Sequence, residues 1–239
     1  MAFETMIHKL EKRAAAQGND VAYRDKLAGS WRDTSWAEFN RLSRSAAKAL
    51  MTLDVGTGDV VTILGNNRPE WTLMLLGAMR VGGIGAGIYT TNAPEEVSYI
   101  VNHSDCKVIL LEDKTQYDKV LAEWNKMPTL QKVVMMQGAE RPDDDRVMSW
   151  EDFLASGEGI EDEKVDEAMN ALEASQVCDF IYTSGTTGPP KAVMLTHENL
   201  RSNAQALHEI WGFGQDDVLL HTLPIFHVHG LFVALHCAM

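Results

Sequence analysis

Short apolar runs alternate with helical patterns along this chain, and that alternation restricts its fold more than any other feature. The runs 60–64, 107–111 and 133–136 are four or five residues long and almost wholly apolar. Such segments suit strands buried on both faces, because a strand with one wet face alternates apolar and polar residues. The segments between them have helical spacing. Residues 3–17 carry Phe3, Met6, Ile7 and Leu10 on one stripe. A helix starting at Ser35 carries Phe39, Leu42, Ala46, Ala49 and Leu50, and Ser35 with Glu38 has the spacing of a capping box. Pro69 sits in the first turn of a helix bearing Trp71, Leu73, Leu75, Leu76 and Met79. Gly82, Gly83, Gly85 and Gly87 read as the end of that helix, leading into Ile88-Tyr89-Thr90. Pro94 opens another helix, 113–124 reads as helical, and 21–36, broken by Gly29, reads as a hairpin. Helices alternating with short apolar strands predict an α/β fold whose largely parallel sheet is flanked by helices.

With 239 residues the chain has material for a sizeable core. Its 21 Lys and Arg against 34 Asp and Glu give a formal net charge of −13. That balance argues against a general nucleic-acid binder, whose affinity comes from neutralising phosphates. No apolar run is long enough to span a bilayer, and residues 1–17 lack the apolar core and cleavage site of a secretory signal. Cys106, Cys178 and Cys237 are far apart, form no metal-binding spacing and leave one unpaired, which fits a reducing cytoplasm. The excess charge is concentrated: thirteen acids but three bases lie between 138 and 175. This stretch reads as a solvated surface connection rather than an interaction tail.

Beyond it the pattern becomes strand, polar loop, strand, with apolar runs over 177–182 and 192–196. A helix over 197–211 follows, with Leu200, Ala204, Leu207 and Trp211 on one face, and 217–223 reads as a further strand. Trp211, Phe213 and the methionines read as core residues. The loop Tyr182-Thr-Ser-Gly-Thr-Thr-Gly-Pro-Pro-Lys191 is the chemically informative stretch. Ser184, Thr186 and Thr187 place three hydroxyls within four positions. Gly185 and Gly188 permit backbone conformations and a close ligand approach denied to other residues. Successive N–H groups in such a loop form an anion-binding nest, and Lys191 adds a cation at its far end. These are the parts needed to hold a polyphosphate. The spacing Gly-x-x-Gly-x-x-Lys, with no Ser or Thr after the lysine, is not that of a Walker A loop. On composition alone, a ligand-free Gly/Thr/Ser/Pro turn is an equally good reading.

Extended through Ala192-Val-Met-Leu-Thr-His197, the string resembles the phosphate-loop signature of the AMP-forming acyl-CoA synthetases, the adenylate-forming superfamily. So long and unusual a match outweighs the turn reading. Ala192 departs from the glycine usual there, but its methyl removes no functional group. Other segments agree in order: Trp31-Arg-Asp-Thr-Ser-Trp-Ala-Glu-Phe39, Met79-Arg-Val-Gly-Gly-Ile-Gly-Ala86 and Leu223-Pro-Ile-Phe-His-Val-His-Gly230. The resemblance covers essentially the whole chain and is weakest across the acidic stretch. It implies that residues 1–239 are the incomplete N-terminal part of an adenylate-forming enzyme's large domain.

The resemblance also implies a reaction. A carboxylate, here a fatty acid, attacks the α-phosphate of ATP to give an acyl-adenylate and pyrophosphate. Coenzyme A then displaces AMP to give a thioester. Substitution at phosphorus needs charge neutralisation by Mg2+, lysine and loop amides more than it needs a general base. Thr183, Ser184, Gly185, Thr186, Thr187, Gly188 and Lys191 are implied to grip the β- and γ-phosphates. His227 is implied to lie near the acyl carboxylate and α-phosphate and to help shape the acyl pocket. A histidine after a strand, taken alone, is more often simply packed or hydrogen-bonded. His229 is left between lining the pocket and capping the next helix, and His197, at a helix start, reads as structural. No metal ligand is assigned within this chain.

The substrate hints conflict. The segments 65–71 and 87–105 are similar to long-chain fatty acyl-CoA synthetases, whereas 222–233 looks more like malonyl- and shorter-acyl-CoA synthetases. Family members are much longer. Their adenine and magnesium motif, ribose-binding aspartate, hinge and small C-terminal domain with its adenylation lysine have no counterpart in these 239 residues. The chain is therefore expected to be truncated and to lack full turnover. The alternative is a non-enzymatic remnant that binds nucleotide or a partner chain. Missing strands are expected to leave apolar surface that favours self-association. A cytoplasmic location is expected, with room for peripheral membrane contact.

Overall fold

The computed structural model describes residues 3–27, 29–184, 188–214 and 216–239. The first helix, α1 (Met6–Gln17), buries Met6, Ile7 and Leu10, and Thr5 caps it by accepting from His8 N. An antiparallel hairpin follows, β1 (Val21–Leu27) with β2 (Ser30–Ser35). Helix α2 (Trp36–Thr52) starts at Ser35, whose side chain accepts from Glu38 N at 3.2 Å. The expected capping box is only half formed, because the Glu38 carboxylate turns to the Arg41 guanidinium, 2.7 Å away.

The main sheet then builds up. Strand β3 (Val60–Leu64) is buried at every position and leads into α3 (Pro69–Arg80), which is buried from Glu70 to Arg80. Strand β4 (Ile84–Ile88) follows. The sequence pattern assigned this stretch to a helix end because glycine is poor strand material. Here helix α3 presses on the strand and leaves no room for side chains. A Cβ on Gly85 would lie 2.1 Å from Leu75 Cδ1, and one on Gly87 would lie 3.1 Å from Trp71 Cζ2. Next come α4 (Pro94–His103), β5 (Val108–Leu111), α5 (Lys114–Ala122) and β6 (Lys132–Met135).

The acidic stretch is more than a connection. It supplies β7 (Val147–Ser149), α6 (Trp150–Ser156) and α7 (Asp162–Asn170), with Val147, Trp150, Phe153 and Val165 buried. Its charges are also partly paired, Asp162 and Asp166 to Arg44 and Asp162 to Lys48. Strand β8 (Val177–Thr183) runs into the loop, β9 (Lys191–Thr196) returns, and α8 (His197–Trp211) follows.

The seven strands lie in the order β7-β6-β5-β3-β4-β8-β9, parallel throughout except for the antiparallel β8–β9 pair. This is the predicted α/β architecture, and its central strands β3, β4 and β5 are buried at every position. One face packs Val61 and Ile63 with Leu10, Phe39, Leu50, Trp71, Leu75 and Phe153. The other packs Ile109 and Leu111 with Val97, Ile100, Tyr117 and Val120 of α4 and α5.

Two expectations fail in the C-terminal region. Residues 217–223 form no strand, and among the described residues no strand pairs with them, so Val218 and Leu220 stand 93% and 81% exposed. Alternating apolar residues make a strand only where a ladder partner exists. Trp211 is also exposed, with its ring edge-on to Phe213 at 5.8 Å rather than in the core. Among the methionines, Met194 is exposed while Met74, Met79, Met135 and Met136 are buried. The apolar end of the chain forms a π-helical turn, His229–Leu235, and a short helical turn, His236–Ala238.

Candidate functional site

Parallel strands converge their carboxyl ends on one rim of the sheet. Helix α3, leaving β3, packs on one face, while α4, leaving β4, packs on the other. The strand order therefore puts a topological switch point between β3 and β4, the usual ligand position in sheets of this kind. Strand β8 lies beside β4, with Gly85 opposite Asp179 and Ala86 opposite Phe180. Continuing along both strands brings Tyr89 and Thr183 to the same rim.

Three of the predicted phosphate-loop residues flank the loop at its stems and are exposed there. Thr183 is the last residue of β8 and pairs with Lys191, the first of β9, and Ser184 follows Thr183 into the loop. Among the described residues Lys191 has no ion-pair partner. Gly188 has φ +137°, in the region glycine adopts without strain, and it is exposed. Gly185, Thr186 and Thr187 lie outside the described residues. The strand–loop–strand order read from the sequence holds.

Helix α4 supports both stems. Tyr182, buried just before Thr183, places its hydroxyl 2.9 Å from His103 Nδ1. Burial pushes the Tyr182 phenol up to about 12. At the other stem, the Tyr99 hydroxyl donates to the Pro190 carbonyl at 3.0 Å.

His227 reaches the same rim through the segment 223–230. Asn67, just past the end of β3, holds this segment at two points. Its Nδ2 donates to Leu223 O at 2.7 Å, and its Oδ1 accepts from Ile225 N at 2.9 Å. The segment lies directly on β4, because a Cβ on Gly87 would be 3.2 Å from Phe226 O. Tyr89 packs against Phe226 and His227, with ring centroids 5.1 and 6.4 Å apart. His227 is exposed, and its Nδ1 accepts from the His229 N–H at 3.3 Å. That contact places the neutral ring's proton on Nε2, which is thereby a donor. His229 contributes this backbone N–H and begins the π-helical turn without capping it through its side chain. Gly230 closes the turn: a Cβ there would be 2.2 Å from Pro224 O.

His197 is structural, as read. It is 1% exposed at the first position of α8, its N–H donates to Gln176 O at 3.1 Å, and burial pushes its ring down to about 4. Sequence reasoning missed Asn67, Tyr89, Tyr99 and His103 as contributors to this rim. Only the i, i+4 spacing of Tyr99 and His103 marked them as one helix face.

The comparisons agree with this fold. The AMP-binding enzyme family matches residues 10–239. The chain belongs to that family. The human long-chain-fatty-acid–CoA ligase ACSBG1 is 32% identical over 227 residues, covering 93% of this chain and 31% of that protein. The long-chain-fatty-acid–CoA ligase ACSBG2 of Xenopus laevis is 30% identical over 227 residues with the same coverage. The chain thus spans about a third of the length of these family members (31%). Among solved structures, the long-chain-fatty-acid-CoA ligase FadD1 from Archaeoglobus fulgidus superposes with a TM-score of 0.79 at 19% identity, over 98% of this chain and 45% of that one. ATP-bound MatB from Rhodopseudomonas palustris superposes with a TM-score of 0.68 at 26% identity, over 98% of this chain and 42% of that one. Among the described residues, no helix is long and apolar enough to cross a membrane.

Proposed function

We propose that this chain carries the triphosphate-gripping and acyl-facing part of an AMP-forming long-chain fatty acyl-CoA ligase. The observation that carries this reading is the meeting of the Thr183–Lys191 stem pair and the His227 segment at one rim of the sheet, at the carboxyl ends of β3, β4 and β8. Long-chain acids are favoured over the malonyl and shorter-acyl hint of residues 222–233 because the relatives 30–34% identical to this chain are named for them.

In this reading Lys191 and the loop amides hold the β- and γ-phosphates of ATP and neutralise the charge carried off by pyrophosphate. Thr183 and Ser184 offer hydroxyls to the same group. Mg2+ supplies further neutralisation when bound with the nucleotide, and it takes oxygen ligands that phosphates and water themselves provide. The chain's hydroxyls and cation fit a metal–triphosphate. Among the described residues no group of three or more His, Cys, Asp or Glu offers a separate metal cage. His227, with its donor Nε2, orients the acyl carboxylate and stabilises charge at the α-phosphate. Coenzyme A is the second-step acceptor. The alternative reading is binding of nucleotide without turnover.

Calorimetric titration of the chain with ATP and Mg2+ tests the assignment. Lys191→Ala is expected to weaken binding by about ten- to a hundredfold, the worth of a charged hydrogen bond; unchanged affinity would remove the phosphate-loop role. Pyrophosphate release with a panel of fatty acids separates turnover from binding alone. The exposed side chains of Met194, Ile210, Val218 and Leu220 support self-association as a further expectation, and a sharp monomeric elution at high concentration would count against it.

A further inference from the structure

Both stems of the loop between β8 and β9 are held by one face of α4. Tyr99 and His103 are four residues apart, and their rings stack at 5.3 Å with planes 30° apart. His103 meets the Tyr182 hydroxyl at 2.9 Å, and a phenol donates or accepts, so the contact survives either histidine tautomer. The Tyr182 and His103 rings also meet edge-on at 5.8 Å. Tyr99 donates to the Pro190 carbonyl, one residue beyond the last ladder pair, Thr183 with Lys191.

The second contact matters because β9 is an edge strand. Among the described residues no strand pairs with its outer side, so the Tyr99 hydrogen bond adds a second restraint on the lysine-bearing stem to the β8 ladder. Helix α4 is itself well fixed. Pro94 opens it, Glu96 bonds back to Ala93 N at 2.9 Å, and Val97, Ile100 and Val101 are buried. A loop that must present several amides to a triphosphate loses conformational freedom on binding, and stems held in advance reduce that loss.

We infer that Tyr99 and His103 are positioning residues that hold both stems of the phosphate loop in register for a bound triphosphate. The inference rests on the phosphate-loop reading above. Neither residue touches the nucleotide; each acts through Pro190 or Tyr182.

The test titrates the 239-residue chain with Mg2+ and inorganic tripolyphosphate, a probe that needs no adenine site. Tyr99→Phe and His103→Leu are each expected to weaken affinity about fivefold, the size of one net hydrogen bond. Their melting temperatures should stay near wild type. His103→Asn, which keeps a polar atom near Nδ1, is expected to restore most of the affinity, whereas a space-filling role would be satisfied by leucine. Hydrogen exchange should quicken in the peptide covering 184–190 and not in the β3–β5 core. Wild-type affinity in Tyr99→Phe and His103→Leu, with Lys191→Ala weakened, would overturn the anchor and leave the phosphate loop standing. Affinity lost only in step with melting temperature, with exchange rising throughout the chain, would also overturn it. No effect of Lys191→Ala, or no binding by wild type, would remove the phosphate-loop reading and the anchor together.

Discussion

At the scale of single residues, Asp179 is the costliest group in the sheet. It is fully buried on β8, neither carboxylate oxygen has a hydrogen-bond partner among the described residues, and burial raises its pKa well above the ordinary value. An Asp in the unfolded chain titrates near 4. The folded chain therefore keeps a proton that the unfolded chain has lost, from about pH 4 up to the raised folded value, and stability falls as pH climbs through that window. Asp179→Val is expected to raise stability at pH 7 by about 2 kcal/mol, roughly the cost of an unsatisfied buried polar group. It should also flatten the decline between pH 5 and pH 8 in urea midpoints. A valine variant no more stable than wild type at pH 8 would show that Asp179 finds a partner in solution. The sequence marked Val177–Tyr182 as a strand correctly, but it could not show that its one acid faces Gly85 instead of water.

Among elements, the segment carrying His227 depends on close backbone packing more than on side-chain choice. Pro224 and Gly230 approach so closely that a methyl on Gly230 would overlap the Pro224 carbonyl at 2.2 Å. Backbone cannot swing aside as a side-chain tip can. Gly230→Ala should therefore displace the segment from Asn67 and Tyr89 and destabilise the chain by about 1–3 kcal/mol, the usual range for overpacking. Limited proteolysis near 223–229 and a thermal melt measure the effect; an unchanged cleavage rate would contradict it. The 182–191 string and His227 were conspicuous in the sequence because each sits in a distinctive run of residue types. Asn67 was not, because an asparagine before a helix-opening proline looks like ordinary turn chemistry. Strand β4 was hidden for a related reason, since its glycines answer to α3, Trp71 and Phe226 rather than to strand propensity.

For the whole molecule, one buried cation ties the N-terminal helices to the acidic stretch. Arg80 at the end of α3 is wholly inaccessible, and burial pushes its guanidinium down to about 10, so it stays charged at neutral pH. It donates to Glu11 on α1, to Ser43 at 3.1 Å and to Asn40 on α2. Glu11 is shared with Arg44 at 2.9 Å, and Arg44 reaches Asp166 of α7 at 2.7 Å. Glu11→Ala is expected to cost about 3–5 kcal/mol, because it leaves a buried charge without its counterion. Pairing it with Arg80→Met should recover much of that loss in a denaturant-melt double-mutant cycle, and a simple sum of the two penalties would refute the coupling. The sequence by itself determined the α/β class, the order of most elements and the strand–loop–strand run from 177 to 196. Those properties follow from periodicity and from local backbone chemistry, which act over a few neighbouring positions. Tertiary structure alone decided that the acidic stretch docks through Asp162 and Asp166, and that Asn67, Tyr99 and His103 support the rim. Each of these depends on groups far apart in the chain meeting at hydrogen-bond distance, and local pattern carries no record of such a meeting.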